Sequence, residues 1–181
     1  MIGTLPTVPA TERLDLLAPV VAAAFTGAVA AGVAGIADVH VAEIDPELAD
    51  TAAMSAAYGV ALEMSANCVI VTGRRGGEAR HAACVVLATT RADVNGLVRR
   101  RLAVRKASFA ATDFAVSETA MEYGGITPVG LPPSWPLLVD SAAAAAPVVV
   151  VGSGLRRSKL VLPGAVLARL PGAEVVEGLG R

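Results

Sequence analysis

An eleven-residue segment, Tyr123–Pro133, contains three glycines and three prolines in a chain that is otherwise rich in Ala, Val and Leu. Glycine permits positive φ and a close backbone approach to a ligand, and proline fixes φ at about −65°. The segment is therefore expected to be a loop of defined shape, and such loops on a rigid scaffold often carry binding sites. Because it has almost no reactive side chains, its chemistry would come from backbone N–H donors. The alternative is a structural crossover between two parts of a sheet.

A second glycine-containing turn, Gly152-Ser153-Gly154, follows the apolar run Val148–Val151. It does not fit a nucleophile elbow, because Val151 stands where that motif needs glycine and no His–acid pair is evident. It does not fit a dinucleotide fingerprint either, because no helix with the third glycine follows. The segment is either a plain tight turn or a turn that presents backbone N–H groups and Arg156 to a ligand.

The remaining reactive residues suggest little side-chain catalysis. Asp140 ends an apolar run and precedes Ser141, which predicts a helix cap; its functional alternative is to hold a polar ligand group. Cys68 and Cys84 lie in apolar runs and are expected to be reduced and buried, as in a cytoplasmic protein. The sequence contains no metal-ligand spacing, paired carboxylates or catalytic triad, so we expect no metal and no other cofactor.

Length and charge narrow the class of protein. The 181 residues fit one domain, and a net charge of −1 excludes nucleic-acid binding through overall electrostatics. The arginine clusters are either solvated helix ends and turns or, if two of them combine, a phosphate-contacting face. Residues 16–37 carry no charge but are mostly Ala and Gly, so a core-packed helix is favoured over a membrane span.

The elements that must position these residues alternate without a strict βαβ rhythm, which predicts a mixed α/β or α+β domain with a sheet of about six to seven strands surrounded by helices. The apolar runs 67–72 and 81–89 predict a hairpin covered on both faces. The other predicted strands are 36–44, 105–109, 136–140, 148–151, 159–162 and 174–176. The predicted helices are about 10–27, 45–58, a short one after Asp93, 112–120 and 165–170.

The order of these features resembles the YbaK family, which includes the domain associated with prolyl-tRNA synthetase. The most specific match is the family's Gly-x-x-x-Pro loop, present here as Gly124 through Pro128. Asp140 and Gly152-Ser153-Gly154 match with lower specificity. The resemblance covers about residues 41–170 of a single domain spanning 1–181, and it leaves the first helix, about 10–27, as an extension.

The resemblance implies an aminoacyl-tRNA deacylase, a hydrolase that maintains translation fidelity by removing Cys, Ala or Ser from mischarged tRNA. It implies that loop amides orient the ester while a water, or a hydroxyl or thiol of the substrate, attacks. The implied partners are mischarged tRNA and a synthetase such as prolyl-tRNA synthetase. No association with a membrane is expected. The implied catalytic residues are Gly124, Gly125, Ile126, Thr127 and Pro128, and the implied substrate-binding residues are Asn67, Asp140, Gly152, Ser153, Gly154 and Arg156.

One position departs from the family pattern. A functionally important lysine of the family falls at Asn67, and an asparagine donates a hydrogen bond but carries no charge. Neither lysine of this chain is expected near Asn67, so Arg74, Arg75 or Arg156 is the candidate for the missing charge. Because of this departure, a second hypothesis remains: the chain is a non-catalytic module that binds a small ligand, a nucleotide or a protein. A weaker third hypothesis is an esterase that acts through Ser153.

Overall fold

Two β-sheets form the centre of the protein in the computed structural model, which describes residues 2–181. Their strands are β1 (Thr7–Pro9), β2 (His40–Glu43), β3 (Ala66–Arg75), β4 (Glu78–Leu87), β5 (Ala107–Phe109), β6 (Leu137–Asp140), β7 (Val149–Gly152), β8 (Ser158–Leu162) and β9 (Ala173–Val176). The first sheet is antiparallel, in the order β1-β2-β8-β7. The second has the order β5-β3-β4-β6-β9, and β6 pairs in parallel with both β4 and β9.

The helices surround these sheets. They are α1 (Pro19–Ala30), α2 (Thr51–Tyr58), α3 (Arg99–Arg101), α4 (Thr112–Thr119), α5 (Ser141–Ala145) and α6 (Gly164–Leu167). None of the helices within residues 2–181 is long and apolar enough to cross a membrane. Val21 and Phe25 of α1 are buried in the main core, in agreement with the core-packed interpretation of this apolar segment.

The predicted hairpin is confirmed, and it extends further than its apolar runs. β3 and β4 pair over ten residues each, from Ala66 opposite Leu87 to Arg75 opposite Glu78. Gly76 and Gly77 connect them with φ of 59° and 88°, values that glycine adopts without a steric penalty. Alternate residues of β4 enter two different apolar clusters, so both faces of the hairpin are covered as expected.

The predicted α/β class is confirmed, but the strands divide between two sheets instead of forming one. A parallel bridge between Ser65 and Val150 joins them where β3 begins. The pairing of β8 with β2 joins segments that are far apart in the chain, so it has no local sequence signal, whereas β7 and β8 are consecutive strands joined by the glycine-containing turn. The short strand β1 also has no local sequence signal, and it was not predicted.

Two predicted helices begin later than expected. α1 starts at Pro19, because proline at the first helical position has no N–H to satisfy and its φ is already helical. Two 3-10 turns replace the predicted helix before it. The helix predicted from 45 to 58 is divided, because Asp50 accepts hydrogen bonds from the amides of Ala52 and Ala53 and so caps a new helix, α2.

Candidate functional site

A cavity of about 500 Å³ opens where the two sheets meet, beside the start of β3 and the end of β7. Its wall contains both glycine-bearing segments predicted to be functional, represented by Gly124, Ile126, Gly152 and Arg156. The other lining residues come from the turn before α2, from α2, from β3 and the residue before it, from β7 and β8, and from the start of the glycine–proline loop. They are Glu47, Ala49, Asp50, Thr51, Met54, Ser65, Ala66, Asn67, Cys68, Val69, Tyr123, Val150, Val151 and Lys159.

The glycine–proline loop has the defined shape that its composition predicts. Gly124 has φ of 81°, a conformation that side chains other than glycine rarely adopt. The amide of Gly125 donates to the carbonyl of Glu122 at 2.9 Å, and the amide of Thr127 donates to the sulfur of Met121 at 3.4 Å. Within residues 2–181, the amides of Gly124 and Ile126 have no such acceptor, and both residues line the cavity. The loop therefore has two cavity-lining residues whose N–H groups are not used by an acceptor within residues 2–181.

The Gly152–Gly154 turn packs directly against this loop. The amide of Gly154 donates to the carbonyl of Gly125 at 2.7 Å, and the amide of Glu122 donates to the carbonyl of Gly154 at 2.9 Å. A Cβ at Gly125 would lie 2.7 Å from the backbone of Leu155, so the approach requires glycine. The two motifs form one backbone-lined wall.

Arg156 is the candidate arginine that lies at the cavity. Its guanidinium donates to the carbonyl of Tyr123 at 3.2 Å and to that of Pro46 at 3.0 Å. The amide of Arg156 donates to the carboxylate of Glu122 at 2.6 Å. Arg74 and Arg75 are exposed at the distal turn of the hairpin, where they line a different cavity. Of the three arginines considered at the sequence level, Arg156 alone is placed to act at this cavity.

Asn67 lies at the start of β3 and also lines the cavity. Its side-chain oxygen accepts a hydrogen bond from the hydroxyl of Thr51 at 2.7 Å, which ties β3 to the first residue of α2. The position that the family pattern gives to lysine is thus part of the wall, but it brings no charge there.

The expectation that neither lysine lies near Asn67 is wrong, because Lys159 of β8 lines the same cavity. Its side chain is only 4% exposed, and its ammonium donates to the carbonyls of Ala49 at 2.7 Å and Gly124 at 3.3 Å. Lys159 pairs across the sheet with Gly152, which fixes its place beside the turn. The available sequence signal was a lone charged residue in an otherwise apolar strand.

Three predicted substrate-binding residues, Asp140, Ser153 and Gly154, lie outside the cavity lining. Asp140 is buried and caps α5 through the amide of Ala142 at 3.0 Å, and it also accepts from the amide of Gly180 at 2.8 Å. The structure therefore supports its role as a helix cap.

Ser153 is fully buried, and its hydroxyl is 2.8 Å from that of Ser158. This burial provides no accessible nucleophile for the esterase hypothesis.

The loop residues beyond Ile126 also turn away from the cavity. Thr127 is fully buried, and Pro128 lines a separate apolar cavity beside α1. Of the five predicted catalytic residues, Gly124 and Ile126 line the cavity, and Gly125, Thr127 and Pro128 do not.

The cysteines are free thiols, as expected, and Cys68 lines the cavity. Burial raises the pKa of Cys68 well above its usual range, and it raises the pKa of Cys84 to about 12. At neutral pH both thiols are therefore protonated and poor nucleophiles. No group of three or more His, Cys, Asp or Glu side chains in residues 2–181 is arranged to hold a metal ion.

Burial lowers the pKa of Lys159 to about 8, although nearby Asp50 partly opposes the shift. Between this value and the ordinary one of 10.5, the unfolded chain binds more protons than the folded chain, so this residue makes stability rise with pH. Relative to Lys159→Met, the unfolding free energy of the wild type should increase by about 2 kcal/mol from pH 7 to pH 9.5. Urea denaturation of both proteins at the two pH values measures this; equal changes would contradict it.

The aminoacyl-tRNA editing domain family matches residues 45–170, most of the chain. The chain therefore belongs to this family. A search of curated proteins gives no match. The match covers the loop, the Gly152–Gly154 turn and the other cavity-lining residues, and it leaves α1 outside.

Solved structures share the fold. One is a protein proposed to be a trans-editing enzyme for prolyl tRNA synthetase, with 21% identity and a TM-score of 0.70 over 89% of this chain and 97% of that one. The hypothetical protein APE2540 has 21% identity and a TM-score of 0.72, with 86% and 97% covered. A scaffold protein from work on epitope backbone grafting has 22% identity and a TM-score of 0.68, with 91% and 99% covered.

Proposed function

We propose that the cavity is the active site of an aminoacyl-tRNA deacylase, which hydrolyses the ester of a mischarged tRNA. The observation that carries the proposal is the pair of unpaired amides, Gly124 and Ile126, in the cavity wall. Membership of the aminoacyl-tRNA editing domain family supports the same reaction.

The amides act on the ester carbonyl. Its oxygen accepts hydrogen bonds from Gly124 and Ile126, and these bonds strengthen as negative charge develops on that oxygen. A water attacks the carbonyl carbon, the bond to the ribose oxygen breaks, and the proton lost by the water passes to that oxygen. Where a hydroxyl or thiol of the substrate attacks first, its own proton passes to the ribose oxygen, and water then opens the cyclic ester or thioester that forms. Since an ester is already an activated acyl group, positioning and electrostatics can suffice without a side-chain base.

The cavity favours a small amino acid. About 500 Å³ must accommodate both the aminoacyl group and part of the terminal adenosine. Much of its apolar lining comes from small side chains, among them Ala49, Ala66 and Val151. Alanyl, cysteinyl and seryl esters are therefore the proposed substrates.

The charge of the chain favours a requirement for a partner protein that contributes to tRNA binding. The net charge is −1, and the cavity lining includes the acidic residues Glu47 and Asp50. A synthetase partner such as prolyl-tRNA synthetase would supply phosphate contacts that this chain provides sparingly. Tight binding of tRNA by the isolated protein at physiological salt would remove that requirement.

A panel of aminoacyl-tRNAs tests the proposal. The panel contains Ala-, Cys- and Ser-esters on tRNA for proline, with correctly charged Pro-tRNA as the matched control. We expect release of at least one of the three small amino acids above the uncatalysed rate. No release from any member would overturn the proposed activity.

A second candidate is a non-catalytic module that uses the same cavity to bind a small ligand, a nucleotide or a protein. The neutral Asn67, at the position of the family lysine, favours it. The variant Asn67→Lys discriminates the two candidates: if it creates hydrolysis that the wild type lacks, the native chain is a binder.

A further inference from the structure

The cavity contains a buried positive charge that the reaction described above does not use. The Lys159 side chain is 4% exposed, and no carboxylate within residues 2–181 lies within 4.0 Å of its ammonium. Arg156, the other basic residue of the lining, is less buried and is held by two carbonyls. Lys159 is thus a buried cation whose polar contacts in the protein are carbonyl oxygens.

Such a residue is costly to retain. Burying an ammonium without a carboxylate partner opposes folding, and an apolar side chain would suit the fully buried strand β8 better. Buried charges of this kind, when they line a cavity, are candidates for functional groups. The position of Lys159 in a cavity wall meets that condition.

The ammonium is next to the loop that carries the two free amides. It donates to the carbonyl of Gly124 at 3.3 Å and to that of Ala49 at 2.7 Å, and so it ties the loop to the segment before α2. A lysine has three N–H donors, and no acceptor among the described residues takes the third. The third donor and the full positive charge are available to an oxygen atom bound beside Gly124.

Lys159 lines the same cavity as Asn67, the residue that departs from the family pattern. Asn67 is on β3 of the five-stranded sheet, whereas Lys159 is on β8 of the four-stranded sheet, and both line one cavity. Asn67 is neutral and its side-chain oxygen is occupied by Thr51. The cavity therefore has no charge at position 67 but has one at Lys159.

We propose that Lys159 is the cationic residue of this site: from β8 it positions Gly124 and binds an anionic oxygen of the substrate, in place of a lysine at position 67. The inference rests on the proposed deacylase function for its chemistry. The oxygen belongs either to the ester carbonyl, which gains negative charge during hydrolysis, or to the phosphate of the terminal nucleotide. Both are recognised by the same combination of positive charge and N–H donor.

Kinetic variants test the role in catalysis. Lys159→Met, which removes the ammonium but keeps a long unbranched side chain, should lower kcat/KM by about 100-fold. The double variant Asn67→Lys with Lys159→Met should recover about tenfold of that loss, because it returns a lysine to the lining of the same cavity. Lys106→Met is the matched control, since Lys106 is the other lysine of the chain and is exposed away from the cavity.

A binding measurement separates this inference from the proposed activity. The chain has two lysines, so a protein labelled with ¹³C-lysine gives two side-chain signals, and Lys159→Met assigns them. The probe is 3′-alanylamino-3′-deoxyadenosine, in which an amide replaces the ester, used with and without a 5′-phosphate. A shift of the Lys159 signal with both forms supports contact at the carbonyl end, and a shift only with the phosphorylated form supports contact with phosphate.

Three results would overturn the inference. The first is a Lys159 signal that moves with neither probe. The second is a folded Lys159→Met variant whose kcat/KM stays within about threefold of the wild type. The third is a double variant that recovers nothing. If the wild type hydrolyses no tRNA but the Lys159 signal still shifts, the proposed function fails while Lys159 remains the ligand-binding cation.

Discussion

Gly124→Val is expected to lower kcat/KM for a mischarged tRNA by about 100-fold or more while the protein still folds. Gly124 has φ of 81°, where a β-branched residue is strongly disfavoured, so the local backbone must change. A Cβ there would also lie 3.2 Å from the guanidinium of Arg156 and 3.4 Å from Ala49. Both effects displace the amides of the loop from the position in which they meet the ester oxygen.

Gly76→Val is the matched control for Gly124→Val. Gly76 also has positive φ, 59°, and a Cβ there would meet no atom within 4 Å. The control therefore adds similar backbone strain in the hairpin turn, away from the cavity, and should leave kcat/KM unchanged. Steady-state hydrolysis and urea denaturation of both variants separate the two effects. Full activity in Gly124→Val would exclude the loop amides from catalysis.

Gly152→Ala is expected to lower both stability and activity, because the two glycine segments are in direct backbone contact. A Cβ at Gly152 would overlap the carbonyl oxygen of Gly125 and lie 2.6 Å from that of Ile126. These neighbours are backbone atoms, so the whole loop must move to admit one methyl group. The overpacking should cost about 1–3 kcal/mol of unfolding free energy. Activity should fall further than this loss of stability explains, because the moved loop carries Gly124 and Ile126.

Gly27→Ala provides the comparison for Gly152→Ala. Gly27 lies inside α1, and a Cβ there would meet no atom within 4 Å. Alanine is the better helix former, so this variant should gain up to about 1 kcal/mol without a change in activity. Urea denaturation gives the free energies, and hydrolysis of one substrate gives the rates. A Gly152→Ala protein as stable and active as Gly27→Ala would contradict the tight contact between loop and turn.

The parts of the fold with local signals could be predicted from sequence. Asp93 and Asp140 cap the helical segments that follow them, as predicted. A short acidic side chain before a helical segment accepts hydrogen bonds from the first backbone amides of that segment. The hairpin follows from two apolar runs around paired glycines. The loop and the turn were likewise recognised by glycine and proline, although their contact with each other was not.

The composition of the cavity depends on pairing between distant segments. Lys159 reaches the wall because β8 pairs with β7 so that Lys159 lies opposite Gly152. Asn67 lines the same cavity because the bridge from Ser65 to Val150 brings the start of β3 next to β7. The pairing of β7 with β8 is local, but the bridge to β3 has no signal in nearby residues, so the sequence could not show that Lys159 and Asn67 line the same cavity.

The most direct test of the central claim is single-turnover release of alanine from Ala-tRNA for proline by excess wild-type protein. Gly124→Val serves as the blank and Pro-tRNA as the control for specificity. We predict release at least about tenfold above the blank, and no acceleration with Pro-tRNA. Equal rates for the wild type, the variant and buffer, repeated with the cysteinyl and seryl esters, would contradict the claim that this cavity is a deacylase site.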